Sequence, residues 1–312
     1  MSQLHQGTMQ TASDLRPVCT YEGSRIEGDA NKMRNGKYFK LARPDGWDFF
    51  TGSTINYREN IGKTVKCPNR QNENVDIWRS HAELCTSLVL HASKNPNDCF
   101  AGAKIPCSVY IVYGKPVINT KEKCGFKELK VLEEIPEVML DRLFGWKYTE
   151  VCNPLDPRKI TASAITNVQI DLLRNWDSVW ASVQDSVWAS VWDSVQDSVW
   201  ASVWASVWDS VRDSVRDSVW ASVQDSVRDS VWASVWASVW ASEAAYTGSL
   251  FPKIKKWKYV KPAEGTYPYQ SCLELLRQGL IPSYDRKTWR LHAGPDCTVV
   301  FEIDVEKLRE AI

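Results

Sequence analysis

Residues 176–195 read WDSVWASVQDSVWASVWDSV, and this four-residue unit runs without interruption from Trp176 to Val239 before a truncated copy, Trp240–Ser242, closes the array. The third and fourth positions are Ser and Val in every complete unit. The first is Trp in eleven of the seventeen units, replaced elsewhere by Gln184, Gln196, Gln224, Arg212, Arg216 and Arg228; the second is Asp in nine and Ala in eight. Such uniformity marks duplication of a short coding unit and makes the middle of the chain a repeat structure, stabilised mainly between neighbouring units. How a period of four folds therefore decides the architecture.

On an α-helix each residue turns by about 100°, so a four-residue unit advances about 400° and every stripe creeps about 40° per unit. Within two or three turns, Val and the following Trp still share a face, with Asp/Ala and Ser opposite, which is an amphipathic pattern. A strand would group Trp with Ser and put the nine Asp on the Val face, a costly arrangement if that face is buried. Propensity pulls the other way, since Val and Trp favour strands. The pairs Asp209 and Arg212, Asp213 and Arg216, Asp225 and Arg228 decide the matter, because a spacing of three meets on a helix surface. A long helix is predicted over 176–243, with a β-solenoid as the alternative. As one helix, about 68 residues make a rod on the order of 100 Å. Its Trp and Val stripe needs cover from a second copy or from the chain's own modules. Interchange of Asp with Ala predicts that the second position faces solvent.

The array leaves about 175 residues before it and about 70 after it, room for two modest modules. Hydrophobic content of 44% and charged content of 24% argue against wholesale disorder. Net charge is zero, but nine Asp against three Arg give the array −6, so the remainder carries +6. No apolar run reaches the roughly 18–20 residues of a membrane span, and residues 1–14 lack a signal-peptide core, so a cytoplasmic protein without membrane contact is expected, in the host cytoplasm if phage-encoded. Nine cysteines, an odd number at irregular spacing with seven before Asn153, predict reduced and mostly buried thiols. Cys85, His91, Cys99 and Cys107 contain no Cys-x-x-Cys pair, so neither a metal nor a cofactor is assigned.

The expected fold class is α+β, two small α+β modules joined by the repeat. Residues 1–35 read as a loose arm. A first module, 36–150, has strands at Lys37–Arg43 and Trp47–Phe50 around the turn Pro44-Asp45-Gly46, then at Lys63–Cys67, Ser87–His91, Cys107–Tyr113 and Glu128–Glu133. Asn95-Pro96 starts a helix over Asn97–Ala103, and Pro136–Trp146 reads as a short amphipathic helix. Residues 151–175 form a linker and a lead-in helix to the array at 176–243. The second module, 244–312, holds a helix at Cys272–Gln278 stopped by Gly279 and Pro282, a hairpin of Thr288–His292 with Thr298–Ile303, and a closing helix Val305–Ile312.

Ala181–Gln184 and Ala201–Trp204 resemble pentapeptide repeats with one residue fewer per unit; that family forms four-sided β-solenoids, and some members imitate duplex DNA. The array of Trp176–Val239 more closely resembles those of uncharacterised bacterial and phage proteins with WDSV/WASV repeats. Their following segment is similar to Ala245–Phe251, Gly279–Asp285 and Trp289–His292. This resemblance implies no activity.

Leu88–Cys99 is loosely similar to a segment of ADP-ribosyltransferase-like folds. That resemblance implies His91 or Ser93 at a nicotinamide and one of Glu128, Glu133 or Glu134 polarising the ribose. The plainer reading makes His91 a hydrogen-bonded, partly buried residue, Ser93 a helix cap and His292 a packing residue. Lys253, Lys255, Lys256 and Lys258 around Trp257 form a basic, aromatic patch that can meet phosphates or lie on a solvated face. No Walker-type loop, GxGxxG, HExxH or GxSxG is present. The expectation is an interaction or scaffold protein, binding a protein partner or a second copy through the Trp/Val stripe. An ADP-ribosyltransferase-like enzyme in 36–135 and an acidic DNA mimic formed by the array are the alternatives, with nucleic acid the lesser partner for the lysines.

Overall fold

The computed structural model describes residues 36–67, 89–120, 122–183, 187–196, 203, 207, 232–260 and 266–310, and the fold within them is mixed α+β. Strands β1 (Lys37–Ala42), β4 (Ser108–Tyr113), β7 (Glu128–Ile135) and β2 (Thr64–Lys66) form an antiparallel sheet in the order β1-β4-β7-β2. A smaller sheet takes β3 (Leu90–Ala92), β6 (Cys124–Phe126) and β5 (Ile118–Asn119). Alternation decides the faces: Leu129 and Val131 of β7 are sealed while Glu128 and Lys130 between them reach water. Tyr38 of β1 meets Phe126 of β6 edge-on at 4.7 Å, which ties the two sheets into one core.

The turn after β1 forms as expected, with Gly46 at φ +88 and its N–H on the Arg43 carbonyl. Trp47–Phe50 is not a strand, however. Only Trp47 bridges to Asn56, because the Asp48 carboxylate accepts the N–H groups of Phe50 and Thr51 at 2.9 and 3.0 Å and curls the backbone. Asn95 caps a short 3₁₀ helix at Pro96–Ala101, accepting the Asn97 N–H at 3.1 Å. Of the helix expected over Pro136–Trp146, a 3₁₀ turn (Glu137–Met139) and α1 (Leu140–Phe144) form before Gly145, at φ +80, ends it; α2 (Tyr148–Cys152) follows beyond that span.

Between them Phe144 and Trp146 stack at 5.1 Å. Trp146 also packs on Phe251, and Lys147 N–H bonds the Leu250 carbonyl at 2.9 Å. The segment after the array thus touches the first module directly, and it holds the linker as well, since the Leu155 N–H bonds the Tyr246 hydroxyl at 3.0 Å.

Thr166 and Gln169 open α3 (Asn167–Val183) as a capping box: the Thr hydroxyl accepts the Val168 N–H, and the Gln carbonyl accepts the Thr166 N–H at 3.0 Å. From there the helix enters the array. The buried residues of α3 are Gln169, Leu173, Trp176, Asp177, Trp180 and Val183. In α4 (Val187–Gln196) they are Val187, Ser190, Val191, Ser194 and Val195. Both sets follow i, i+3, i+4, i+7, one straight face of an ordinary helix. Because four exceeds 3.6, that face selects Trp and Asp at the start of the array and Val and Ser a few units later. Val203 and Val207 are buried as well.

Helix α5 (Trp232–Ser249) is buried all round at its C-terminal end, with every residue from Ala241 to Thr247 sealed. It packs against α4, against α6 (Gln270–Arg277) and against β8 (Ile281–Tyr284). The array is thus helical where described, while a single straight rod is not what forms. Residues 196 and 232 would lie about 54 Å apart on one straight helix, yet α4 and α5 are in contact.

The closing module adds a third antiparallel sheet, β10 (Thr298–Asp304), β9 (Thr288–Ala293) and β8, followed by α7 (Val305–Glu310). α6 ends in a Schellman motif, with Leu280 N–H on Leu275 O, Gly279 N–H on Leu276 O and Gly279 at φ +71. Among the described residues no helix is long and apolar enough to cross a membrane.

Candidate functional site

Two places gather the side chains singled out from the sequence. The first is a cavity of about 210 Å³ between β1, β3 and the 3₁₀ helix, lined by Lys40, Asp48, Phe49, Phe50, His91, Ser93, Cys99, Ala101, Gly102 and Lys123 among others. Lys40 Nζ lies 2.6 Å from Asp48 Oδ2, both nearly sealed from solvent, and 5.2 Å from the centre of the Tyr57 ring. Burial works against the Lys40 charge, but the Tyr57 hydroxyl and the Asp48 carboxylate outweigh it and raise the ammonium pKa. Burial likewise opposes the Asp48 charge, while Lys40 and the two turn N–H groups hold its pKa below the usual carboxylate value.

His91 sits beside this pair with its Nε2 buried and without a hydrogen-bond partner. Burial, then the nearby Lys123 and Lys40 charges, push its pKa down to about 3, so the ring is neutral at physiological pH. Cys99 donates its thiol hydrogen to the Phe39 carbonyl at 3.4 Å, and burial pushes its pKa up to about 11, which removes it as a nucleophile. Ser93 is buried and exchanges two backbone hydrogen bonds with Phe39; the helix cap is Asn95. His91 and Ser93 therefore share the cavity, but no glutamate joins them. Glu128 is exposed opposite Lys66, Glu133 stands on the same strand, and Glu134 pairs with Arg58 at 2.6 Å. Asp48 is the carboxylate that lines the cavity, and Lys40 already holds it.

Of the candidate metal ligands, His91 and Cys99 both line the cavity, while the Cys107 backbone is clamped by the Tyr148 hydroxyl through two bonds of 2.7 Å. Cys85 lies outside the described residues. Among the described residues no group of three His, Cys, Asp or Glu is placed to hold a metal. His292 is sealed in the third sheet. Its Nδ1–H donates to the Cys297 carbonyl at 3.1 Å, so Nε2 accepts the Ser283 hydroxyl at 2.7 Å, and burial lowers its pKa.

The second place is the strap 253–258. Lys253, Lys255, Lys256 and Lys258 are exposed, whereas Ile254 and Trp257 point inward. Trp257 meets Tyr267 and Tyr269 edge-on at 5.2 and 6.0 Å, so its ring faces are spent on packing and it offers no base-stacking platform. The array serines hold the strap. Ser190 Oγ donates to the Lys258 carbonyl, Ser194 Oγ accepts the Lys258 N–H at 2.8 Å, and the Tyr269 hydroxyl donates to Ser190 at 2.7 Å. Beside the strap, Lys147, Lys255, Gln270 and Arg277 line a depression of about 230 Å³, with Glu150 bridging Lys147 and Arg277 at 2.9 and 3.7 Å.

The sequence missed Lys40, Asp48 and Lys123 in the cavity and Lys147 and Arg277 beside the strap. Lys40 carries a signal in retrospect: a lysine inside the apolar run Tyr38–Ala42 needs an acid, and Asp48 follows one turn later. No protein-family model, no curated protein and no solved structure matches the chain.

Proposed function

We propose that this chain is an interaction protein in which the repeat helices hold a lysine-bearing strap against an acidic protein surface. The observation that carries this reading is the anchoring of the strap. Its backbone is tied to Ser190 and Ser194, its apolar residues are buried, and its four lysines are exposed residues. Charged groups on a fixed frame steer a partner of opposite sign and set its register. With Trp257 buried, a single-stranded nucleic acid finds charge here but no stacking face on the strap's tryptophan. The array of a second copy, at −6, is one acidic protein surface of matching sign. Contact of this kind weakens as salt screens it.

Fluorescence anisotropy with labelled poly-glutamate and with a short duplex DNA tests the proposal. Poly-glutamate is expected to bind at low salt and to be released by K253E/K255E/K256E/K258E. Preference for the duplex, or unchanged poly-glutamate binding by the charge-reversed protein, overturns it. Sedimentation velocity over a salt series shows whether a second copy serves as the acidic surface.

A further inference from the structure

The cavity between β1, β3 and the 3₁₀ helix has an unbalanced charge and a mostly apolar wall. Lys40 is neutralised by Asp48 at 2.6 Å, and His91 is neutral. Lys123 remains: no ion pair engages it among the described residues, and its Nζ lies 3.7 Å from where a Cβ on Gly102 would stand, at the cavity wall. Around it Phe49, Phe50, Ala92, Ala101 and Ala103 supply apolar surface. Phe50 is 67% exposed, an unusual position for a free aromatic side chain beside a concave site. At about 210 Å³ the space falls below the roughly 300–1,000 Å³ of drug-sized sites, so its occupant is small.

We propose that this cavity binds a small organic monocarboxylate, its carboxylate paired with Lys123 and its apolar body packed against Phe49, Phe50 and the Ala101–Ala103 segment. One cation with an apolar wall favours this ligand over inorganic phosphate, which would bring two negative charges and no apolar body. The buried Lys40–Asp48 pair acts as a neutral floor, and a second carboxylate on the ligand would meet Asp48 as a like charge.

Benzoate serves as the probe, with benzamide as its uncharged counterpart and inorganic phosphate as the bare anion. Titration of the full chain is followed by the His91 ring resonances and by isothermal calorimetry. Benzoate is expected to bind and to raise the His91 pKa by adding a negative charge nearby, while benzamide and phosphate bind at least about tenfold more weakly. Lys123→Gln is expected to weaken benzoate by a similar factor, Lys123→Arg to retain most of it, and Ala101→Phe to block it by filling the space. Equal binding of benzamide and benzoate removes the role of Lys123 and overturns the proposal. So does binding of phosphate alone, or no response to benzoate in a wild-type protein whose His91 resonance is resolved. Loss of folding in the Gln variant leaves the Arg and Phe variants to decide, by retention in the first and loss in the second.

Discussion

Helices α3 and α4 are built from the same tetrapeptide but bury different parts of it. Of the repeat residues in α3, Trp176, Asp177, Trp180 and Val183 face the interior, and in α4 Val187, Ser190, Val191, Ser194 and Val195. Trp176 packs on Tyr269, and Trp180 on Tyr284 and Trp289, so near its start the tryptophan stripe is covered by the chain's own closing module. In α4, Trp192 is only half-buried. Identical units thus occupy unlike environments, because the neighbour is a fixed face and the repeat drifts across it. The expected solvent-facing Asp fails at Asp177 for this reason. It is 1% exposed and accepts Trp289 Nε1–H at 2.9 Å and the Arg309 guanidinium at 2.7 and 3.0 Å. Asp193, four units on, is half-buried and accepts the Tyr259 hydroxyl at 2.9 Å.

The contrast has measurable consequences, readable by urea unfolding followed by circular dichroism. Trp176→Ala should cost about 3–5 kcal/mol, as expected for a fully buried aromatic, and Trp192→Ala distinctly less; equal losses would mean that the stripe does not drift. Asp177→Ala leaves a buried indole N–H and a guanidinium without their acceptor and should cost about 2–3 kcal/mol. Asp193→Ala should stay under about 0.5 kcal/mol. If the two aspartates prove equally tolerant, the Asp177 ion pair is not part of the folded frame.

Ser194→Ala removes a hydroxyl that both caps the Lys258 N–H and donates to the Ser190 carbonyl at 2.6 Å, for about 1–2 kcal/mol. Exposed Ser182→Ala should be neutral within about 0.5 kcal/mol. A large loss at Ser182 would place the inner face elsewhere. Ala181→Asp, which writes the other permitted residue into an exposed position, should change stability least, within about ±0.5 kcal/mol.

Much of the fold was readable because it is local. The helical state of the described part of the array follows from its pattern, and the turn at Gly46 and the hairpin of β9 and β10 follow from turn chemistry. What escaped was set by partners distant in sequence. β8 was overlooked because Pro282 reads as a breaker, yet β8 is an edge strand, where a missing N–H is tolerated. The burial of Ser190, Ser194, Ser238 and Ser242 was hidden for the same reason: a serine reads as polar until a carbonyl or N–H is known to meet it. At the cavity, His91 and Ser93 were visible as a strand end, but Lys40, Asp48 and Lys123 come from three other segments, and only the fold brings them to one place.

The Val and Ser pair that fills the inner face of α4 gives unit number a geometric meaning. Along a straight helix, each unit gained or lost by slippage of the coding repeat rotates everything beyond it by about 40°, a vernier against the fixed surface that receives it. Gaining one unit moves Val to the flank of the inner arc, gaining two or three brings the Asp/Ala position inward, losing two or three brings the tryptophan position inward, and nine restore the original orientation. Copy number in such a gene is therefore an angular coordinate as much as a length, and variants that differ by a few units present different side chains to the same neighbour.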